Sequence, residues 1–293
     1  MSKKNVFEIV TERFIEQMKK GIIPWERPWL TPRGIDRTGA WSRSTGKPYS
    51  LLNQMLLPEP GEYATFKQIE KAGGKVRKGA EAWPIFFWDI KNYEVKDEDD
   101  EALTTRKSVV FRYYTVFRLA DTDLDPKFEP AESVVAGLKE PQRCKKADSI
   151  MADYTTREGI EVKHRAANSA LYQVDSDRVL LPFKKQFKTK SGYYGTAFHE
   201  LVHSTGAEKR LHRFCSAGGF SIQERAKEEL IAEIGSNAIC QTLGLNTKDA
   251  ARNTTAYLQS WMTVFKNDPK FIVSAAGRAE KAVDFIVAPQ TAA

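Results

Sequence analysis

Apolar residues recur along this chain with a helical period in some stretches and in dense aromatic or β-branched runs in others. The changes between the two mark its elements. Phe7, Val10, Phe14 and Met18 fall at i, i+3, i+7 and i+11, one stripe of an α-helix over residues 3–20. Lys19, Lys20 and Gly21 close it, with cations at the negative end of the helix dipole and a glycine stop. Pro24, Pro28, Pro32 and Pro48 then forbid a long helix. LLNQMLLP (51–58) and EYATFKQIEKAGG (62–74) predict short helices, and Gly73-Gly74 opens a basic turn or short strand, KVRKG. WPIFFWDIKNYEV (83–95) and SVVFRYYTVFRLAD (108–121) predict an antiparallel strand pair, with an acidic run in the connection. DLDPKFEPAE (123–132), with two prolines and four acids, reads as a domain boundary. Beyond it, LYQVDSDRVLLP (171–182) predicts a hairpin turning at Asp175-Ser176-Asp177. Helices follow at 191–206, 224–245, 254–269 and 272–287. The expected fold class is α+β in two domains. Residues 1–130 form a small antiparallel sheet with helices, and residues 131–293 a mainly helical domain with an edge strand.

Composition narrows the class. With 41% hydrophobic and 28% charged residues, the chain fits a globular protein and excludes collagen, coiled coil and wholesale disorder. No apolar run approaches the roughly 20 residues of a membrane span, so no membrane partner is expected. The first twenty residues lack the apolar region and cleavage site of a secretory signal. Cys144, Cys215 and Cys240 are far apart with no CxxC, which argues against a disulfide framework or a cysteine zinc finger and for a reducing cytoplasm. The net charge is +7. Residues 1–96 carry 17 basic and 11 acidic side chains, and DEDDE at 97–101 interrupts this basic half.

The sharpest chemical signal is His199-Glu200-Leu201-Val202-His203, an HExxH. On a helix, i and i+4 share a face, so both imidazoles reach one ion. A zinc ion there lowers the pKa of a coordinated water towards about 7, and Glu200 is placed as the base that takes its proton. A catalytic zinc needs three protein ligands and an open position. Glu229 and Glu233 lie i, i+4 on one face of the next helix, with Glu228 rotated by about 100°. Glu229 is the expected third ligand. Glu233 is the expected hydrogen-bond acceptor for a ligand imidazole, since an acid inside LIAEIGS is costly to bury without such a partner. Glu228 is expected to face water. His212, nine residues after His203, does not match the spacing of three-histidine zincins, and His164 is not expected to bind metal. Mn²⁺ also suits this ligand set.

TAFHELVHSTG, RLHR and AKEELIAEIGS resemble the zincin-like metallopeptidase domain of the ArdC antirestriction family, as does the upstream LYQVDSDRVLLP. PWERPW, STGKPYSLLNQMLL, EYATFKQIEKAGGKVRKG and FRYYTVFRLAD are similar to the partner domain of that family, shared with TraC-type conjugative plasmid primases. The resemblance covers roughly residues 5–245. It implies an N-terminal domain that binds single-stranded DNA. It also implies a plasmid-encoded protein that enters the recipient with conjugating DNA and protects it from restriction, with a host restriction component as a protein target. By the same resemblance Glu229 takes the third ligand's place, and the family usually has Asn where His212 stands. The alternative implied function is a DNA-binding protection protein whose metal site is structural or inactive.

The N-terminal half carries its own signal. Single-strand binders combine a basic groove with aromatic faces for stacking. Trp25, Arg27, Trp29, Arg33, Arg37, Trp41, Arg43, Lys47 and Tyr49 interleave the two, and Lys67, Lys71, Lys75, Arg77 and Lys78 add a second basic group. The expected DNA contacts are Trp25, Arg27, Trp29, Trp41, Arg43, Lys47, Tyr49, Lys67, Lys75, Arg77 and Lys78. No signature of sequence-specific duplex reading is present.

Overall fold

A reciprocal cap starts the first helix. The Asn5 side chain accepts from the Glu8 amide (3.0 Å), and the Glu8 carboxylate accepts from the Asn5 amide (2.9 Å). α1 (Val6–Lys19) buries Val10, Phe14 and Met18 of the stripe read from the spacing, with Ile15 beside them, while Phe7 is half-buried. The computed structural model describes residues 5–20, 23–26, 39–97, 100–127, 140–214, 222–245 and 254–288. The boundary expected at 123–132 therefore lies partly outside the described residues.

The N-terminal sheet contains β1 (Ala40–Ser42), β2 (Gly61–Thr65), β3 (Trp83–Asp97) and β4 (Asp100–Arg118), in the order β1-β2-β4-β3. β4 is antiparallel to both β2 and β3, while β1 runs parallel to β2. Two short helices accompany it, α2 (Leu51–Leu56) and α3 (Phe66–Lys71). Two expectations change here. Residues 61–65 are strand rather than helix, because Tyr63 and Ala64 pair with Arg118 and Phe117 and because Thr65 caps α3. The β3–β4 pairing continues from Trp83 opposite Val116 to Asp97 opposite Asp100, so the hairpin reaches into the acidic run.

The second half adds α4 (Glu140–Glu158) and a three-stranded sheet of β5 (Glu161–Arg165), β6 (Leu171–Gln173) and β7 (Arg178–Pro182), in the order β5-β7-β6. β6 and β7 form the expected hairpin, with Asp177 in the left-handed region of its turn (φ 45°). α4 is a polar sequence that buries Cys144, Ala147, Met151 and Tyr154, and β5 is an exposed edge paired parallel to β7. Neither was legible from apolar spacing. α5 (Lys190–Ser204), α6 (Ile222–Thr242), α7 (Thr254–Asn267) and α8 (Phe271–Val287) complete the chain.

α8 is central. Ala275, Ala276, Ala279 and Ala282 give it a small-residue surface, and α2, α4, α5 and α6 pack against this helix. One hydrophobic cluster joins Val10, Phe14, Trp25, Leu51 and Met55 to Leu230, Ile234, Trp261, Phe265 and Val283. A smaller one, with Ala40, Tyr49, Leu57, Tyr63, Ile85 and Val116, belongs to the N-terminal sheet and the segments packed on it. Among the described residues no helix is long and apolar enough to cross a membrane.

Candidate metal centre and nucleic-acid groove

α5 is capped by Thr189, whose side chain accepts from the Gly192 amide (3.0 Å). Its face with Phe198, Leu201 and Val202 is fully buried, which fixes the helix roll and directs His199 and His203 towards α6. A glycine in α6 sets how close the two helices come. A Cβ at Gly235 would lie 3.0 Å from Val202 Cγ2, so a larger residue would push the helices apart.

That approach brings three donors together. His199 Nε2 and His203 Nε2 are 3.1 Å apart. Glu229 offers one oxygen 3.4 Å from His199 Nε2 and the other 3.8 Å from His203 Nε2. Tetrahedral donors around an ion with bonds of about 2.0–2.1 Å lie roughly 3.3–3.4 Å apart, so these spacings are close to those of ligands to one divalent cation. His199, His203 and Glu229 could hold a metal ion. Burial opposes the charged form of His199, but Glu229, Glu233 and Glu200 outweigh it and raise its pKa. Burial likewise opposes ionisation of Glu229, and His199, His203 and Arg225 outweigh it to hold the carboxyl below its ordinary range.

The remaining acids surround this set. Glu200 is buried beside His199, at 4% exposure. Glu233 Oε1 lies 3.9 Å from His199 Nδ1. Glu228 is a correction. It does not face water, but is buried with Oε1 3.3 Å from His203 Nδ1 and both oxygens bonded to Arg213. Apolar periodicity could not show this, because the partner arises from the loop between α5 and α6. His212 is exposed, with φ 46°, a left-handed conformation in which Asn is strongly favoured. His164 Nε2 instead lies 3.0 Å from the Tyr193 hydroxyl.

The N-terminal half contains an open groove of about 1080 Å³. Lys47 and Lys67 line it, with Tyr49 in its wall. The rings exposed there are Phe66 (55%), Phe87 (41%) and Tyr114 (47%), with Phe87 and Tyr114 edge-to-face at 5.7 Å. These three aromatics were missed in the sequence, where they read only as strand and helix formers. The available signal was the two-residue alternation of β3 and β4, which puts Ile85, Phe87, Tyr114 and Val116 on one face.

Three expected stacking residues are corrected. Trp25 is fully buried, edge-on to Trp261 at 5.5 Å, and the turn that carries it packs on α1, α2 and α6. Trp41 and Tyr49 are buried too, with Tyr49 against Tyr63 at 6.4 Å. Trp25 is taken up by a core that includes distant Trp261, and Trp41 and Tyr49 are only 2% and 5% exposed, so none of the three presents an open ring face for a base. Arg43 bonds the buried Glu62 (2.8 Å) and the Asp125 carbonyl (3.0 Å), so its charge is already compensated. Lys75, Arg77 and Lys78 are exposed on the loop after α3 and do not line the groove. Arg27 and Trp29 lie outside the described residues, as do Arg33 and Arg37.

Two family models match the chain. Residues 4–117 match the N-terminal domain of anti-restriction factor ArdC, and residues 146–278 match a zincin-like metallopeptidase. The chain is 33% identical over 304 residues to a DNA primase TraC of Escherichia coli, a match covering 98% of this chain and 27% of the primase. It thus spans only a small part of that relative. It is 27% identical to the uncharacterized protein y4eC of Sinorhizobium fredii, covering 98% and 93% of the two chains. The crystal structure of metal-free antirestriction protein ArdC from plasmid R388 superposes with a TM-score of 0.71 at 28% identity, over 97% of each chain. The Mn(II)-bound structure of the same protein gives 0.70 at 26%.

Proposed function

We propose, from the match of its two halves to the N-terminal domain of ArdC and to a zincin-like metallopeptidase and from its likeness to the ArdC structure, that the chain is an ArdC-type antirestriction protein with a two-part function. It binds single-stranded DNA through residues 1–130 and carries a zinc-dependent peptidase centre in residues 131–293. Together these protect incoming conjugative DNA from host restriction in the cytoplasm of the receiving cell. The observation that carries the peptidase reading is the convergence of His199, His203 and Glu229 at donor spacings suited to one ion. A bound Zn²⁺ or Mn²⁺ supplies Lewis acidity and a water acidified towards neutral pH. Glu200 takes the proton of the attacking water and returns it to the leaving amine. Glu228 holds the His203 imidazole from behind, and Glu233 lies behind that of His199. The TraC primases and the Mn(II)-bound ArdC structure support the DNA and metal halves of this reading.

For the nucleic acid, the groove is a better seat than the buried tryptophans. Phe66, Phe87 and Tyr114 offer stacking faces, while Lys47 and Lys67 meet phosphates. Metal analysis of the full chain tests the centre. Wild type is expected to retain one divalent ion, and retention of that ion by His199→Ala/His203→Ala would refute the ligand set. Retained hydrolysis by Glu200→Gln would remove the peptidase mechanism. A wild type that never cleaves a protein would favour a structural metal.

A further inference from the structure

The loop that follows the HExxH helix is held in place by one arginine. Gly206 lets the chain turn back over the end of α5, since a Cβ there would lie 2.6 Å from the Phe214 ring and 3.1 Å from Arg213 Nη2. The Arg213 side chain is 4% exposed. Its Nη1 donates to Thr205 Oγ1 (2.7 Å) and its Nη2 to the Val202 carbonyl (2.8 Å), so it ties down the last turn of α5. On the other side, Nε donates to Glu228 Oε2 (3.0 Å) and Nη2 to Oε1 (2.6 Å), a bidentate fork that fixes the carboxylate plane. The same Oε1 lies 3.3 Å from His203 Nδ1.

We infer that Arg213 and Glu228 are positioning residues for the metal, acting through His203; this rests on the metal-centre reading above. An imidazole offers a lone pair to a cation from one nitrogen only, and the hydrogen bond at the other nitrogen decides which. Glu228 accepts from the Nδ1–H of His203 and so leaves Nε2, which points at His199 and Glu229, as the donor. Arg213 fixes Glu228 for that task, because a carboxylate at this depth with no cation beside it turns away towards water. The second imidazole is held less tightly, with Glu233 3.9 Å from His199 Nδ1. His203 is therefore the pre-oriented ligand, and the RLHR segment belongs to the metal site through Arg213, not His212.

The test uses the full chain, with Zn²⁺ affinity measured by competition against a chelator and thermal stability measured on the metal-free protein. Glu228→Gln keeps shape and loses the charged acceptor. It should weaken Zn²⁺ by about 10–100-fold with little change in the metal-free melting temperature. Arg213→Met should lower both. Arg213→Met/Glu228→Gln should regain metal-free stability while binding Zn²⁺ as weakly as Glu228→Gln. A pair serving only to hold the loop would show the reverse, wild-type Zn²⁺ affinity once stability is regained. Wild-type affinity in Glu228→Gln alone overturns the inference, even if no Arg213 variant folds. If wild type shows no Zn²⁺ binding that depends on His199 and His203, the metal-centre reading itself falls, and the inference with it.

Discussion

At the α5–α6 crossing, ionisable groups are drawn inward until they face one another. In the N-terminal groove, charges stay apart on the surface and aromatic rings are left uncovered. The centre places His199, His203, Glu228, Glu229 and Glu233 together with side chains 30% exposed or less. The groove presents Phe66, Phe87 and Tyr114 at 41–55% exposure, flanked by Lys47 and Lys67. The contrast follows from what each would hold. A small cation demands a few donors fixed to within a few tenths of an ångström, which needs a second layer of hydrogen bonds. A long flexible polyanion demands area and positive charge, and tolerates imprecise placement. Substitutions in the centre should therefore couple strongly, while those in the groove should add.

The largest expected effect separates the two regions outright. His199→Ala/His203→Ala should abolish stoichiometric metal binding, while Phe87→Ala should leave it unchanged, as measured by metal analysis of the purified chains. Next comes Glu200→Gln, which should keep metal and melting temperature but lower any peptide hydrolysis by roughly 10²–10⁴-fold. Equal rates with wild type would show that the buried glutamate is not the base.

The groove responds on a smaller scale. Phe87→Ala or Tyr114→Ala should each weaken binding of a single-stranded oligonucleotide by about 1–3 kcal/mol and leave its salt dependence nearly intact. Lys47→Ala/Lys67→Ala should instead flatten the salt slope by about 0.7 for each phosphate no longer neutralised. Trp25→Ala should act elsewhere, lowering stability by about 3–5 kcal/mol through a core cavity. If Trp25→Ala binds DNA poorly but melts like wild type, the strand does not lie in the groove.

A last expected effect lies outside both regions and depends on pH. Burial raises the Asp177 pKa, but hydrogen bonds from Arg210, Lys209 and Tyr172 outweigh it and hold the carboxyl well below its ordinary range. A depressed carboxyl contributes stability that is present above its unfolded pKa, near 4, and is lost as pH falls towards the folded value. Asp177→Asn should therefore lower stability by about 1–3 kcal/mol at neutral pH, with the gap to wild type closing below about pH 4. A gap of constant size from pH 7 to pH 3 would show that the pair contributes nothing through its charge.

The HExxH spacing, the glutamate helix with its apolar positions and the amphipathic face of α1 were legible in the chain. A helix repeats every 3.6 residues whatever surrounds it, so residues four apart meet by local geometry alone. The same geometry ordered Glu229 and Glu233 along one face. It could not place Glu228, because the cation that keeps Glu228 inside comes from Arg213, fifteen residues away across a turn that Gly206 permits. Nor could it place Trp25 and Trp41. A tryptophan beside prolines and arginines looks the same in sequence whether it meets a base or Trp261, and the choice was made by α7, more than two hundred residues on. Conversely, the alternation in β3 and β4 was visible, but which face stays open depends on where β1, α2 and α3 pack. Local periodicity thus determined the elements and the ligand pair. Tertiary structure alone decided which polar groups are partnered and which rings remain uncovered, because burial is a property of distant segments brought together and not of neighbours in the chain.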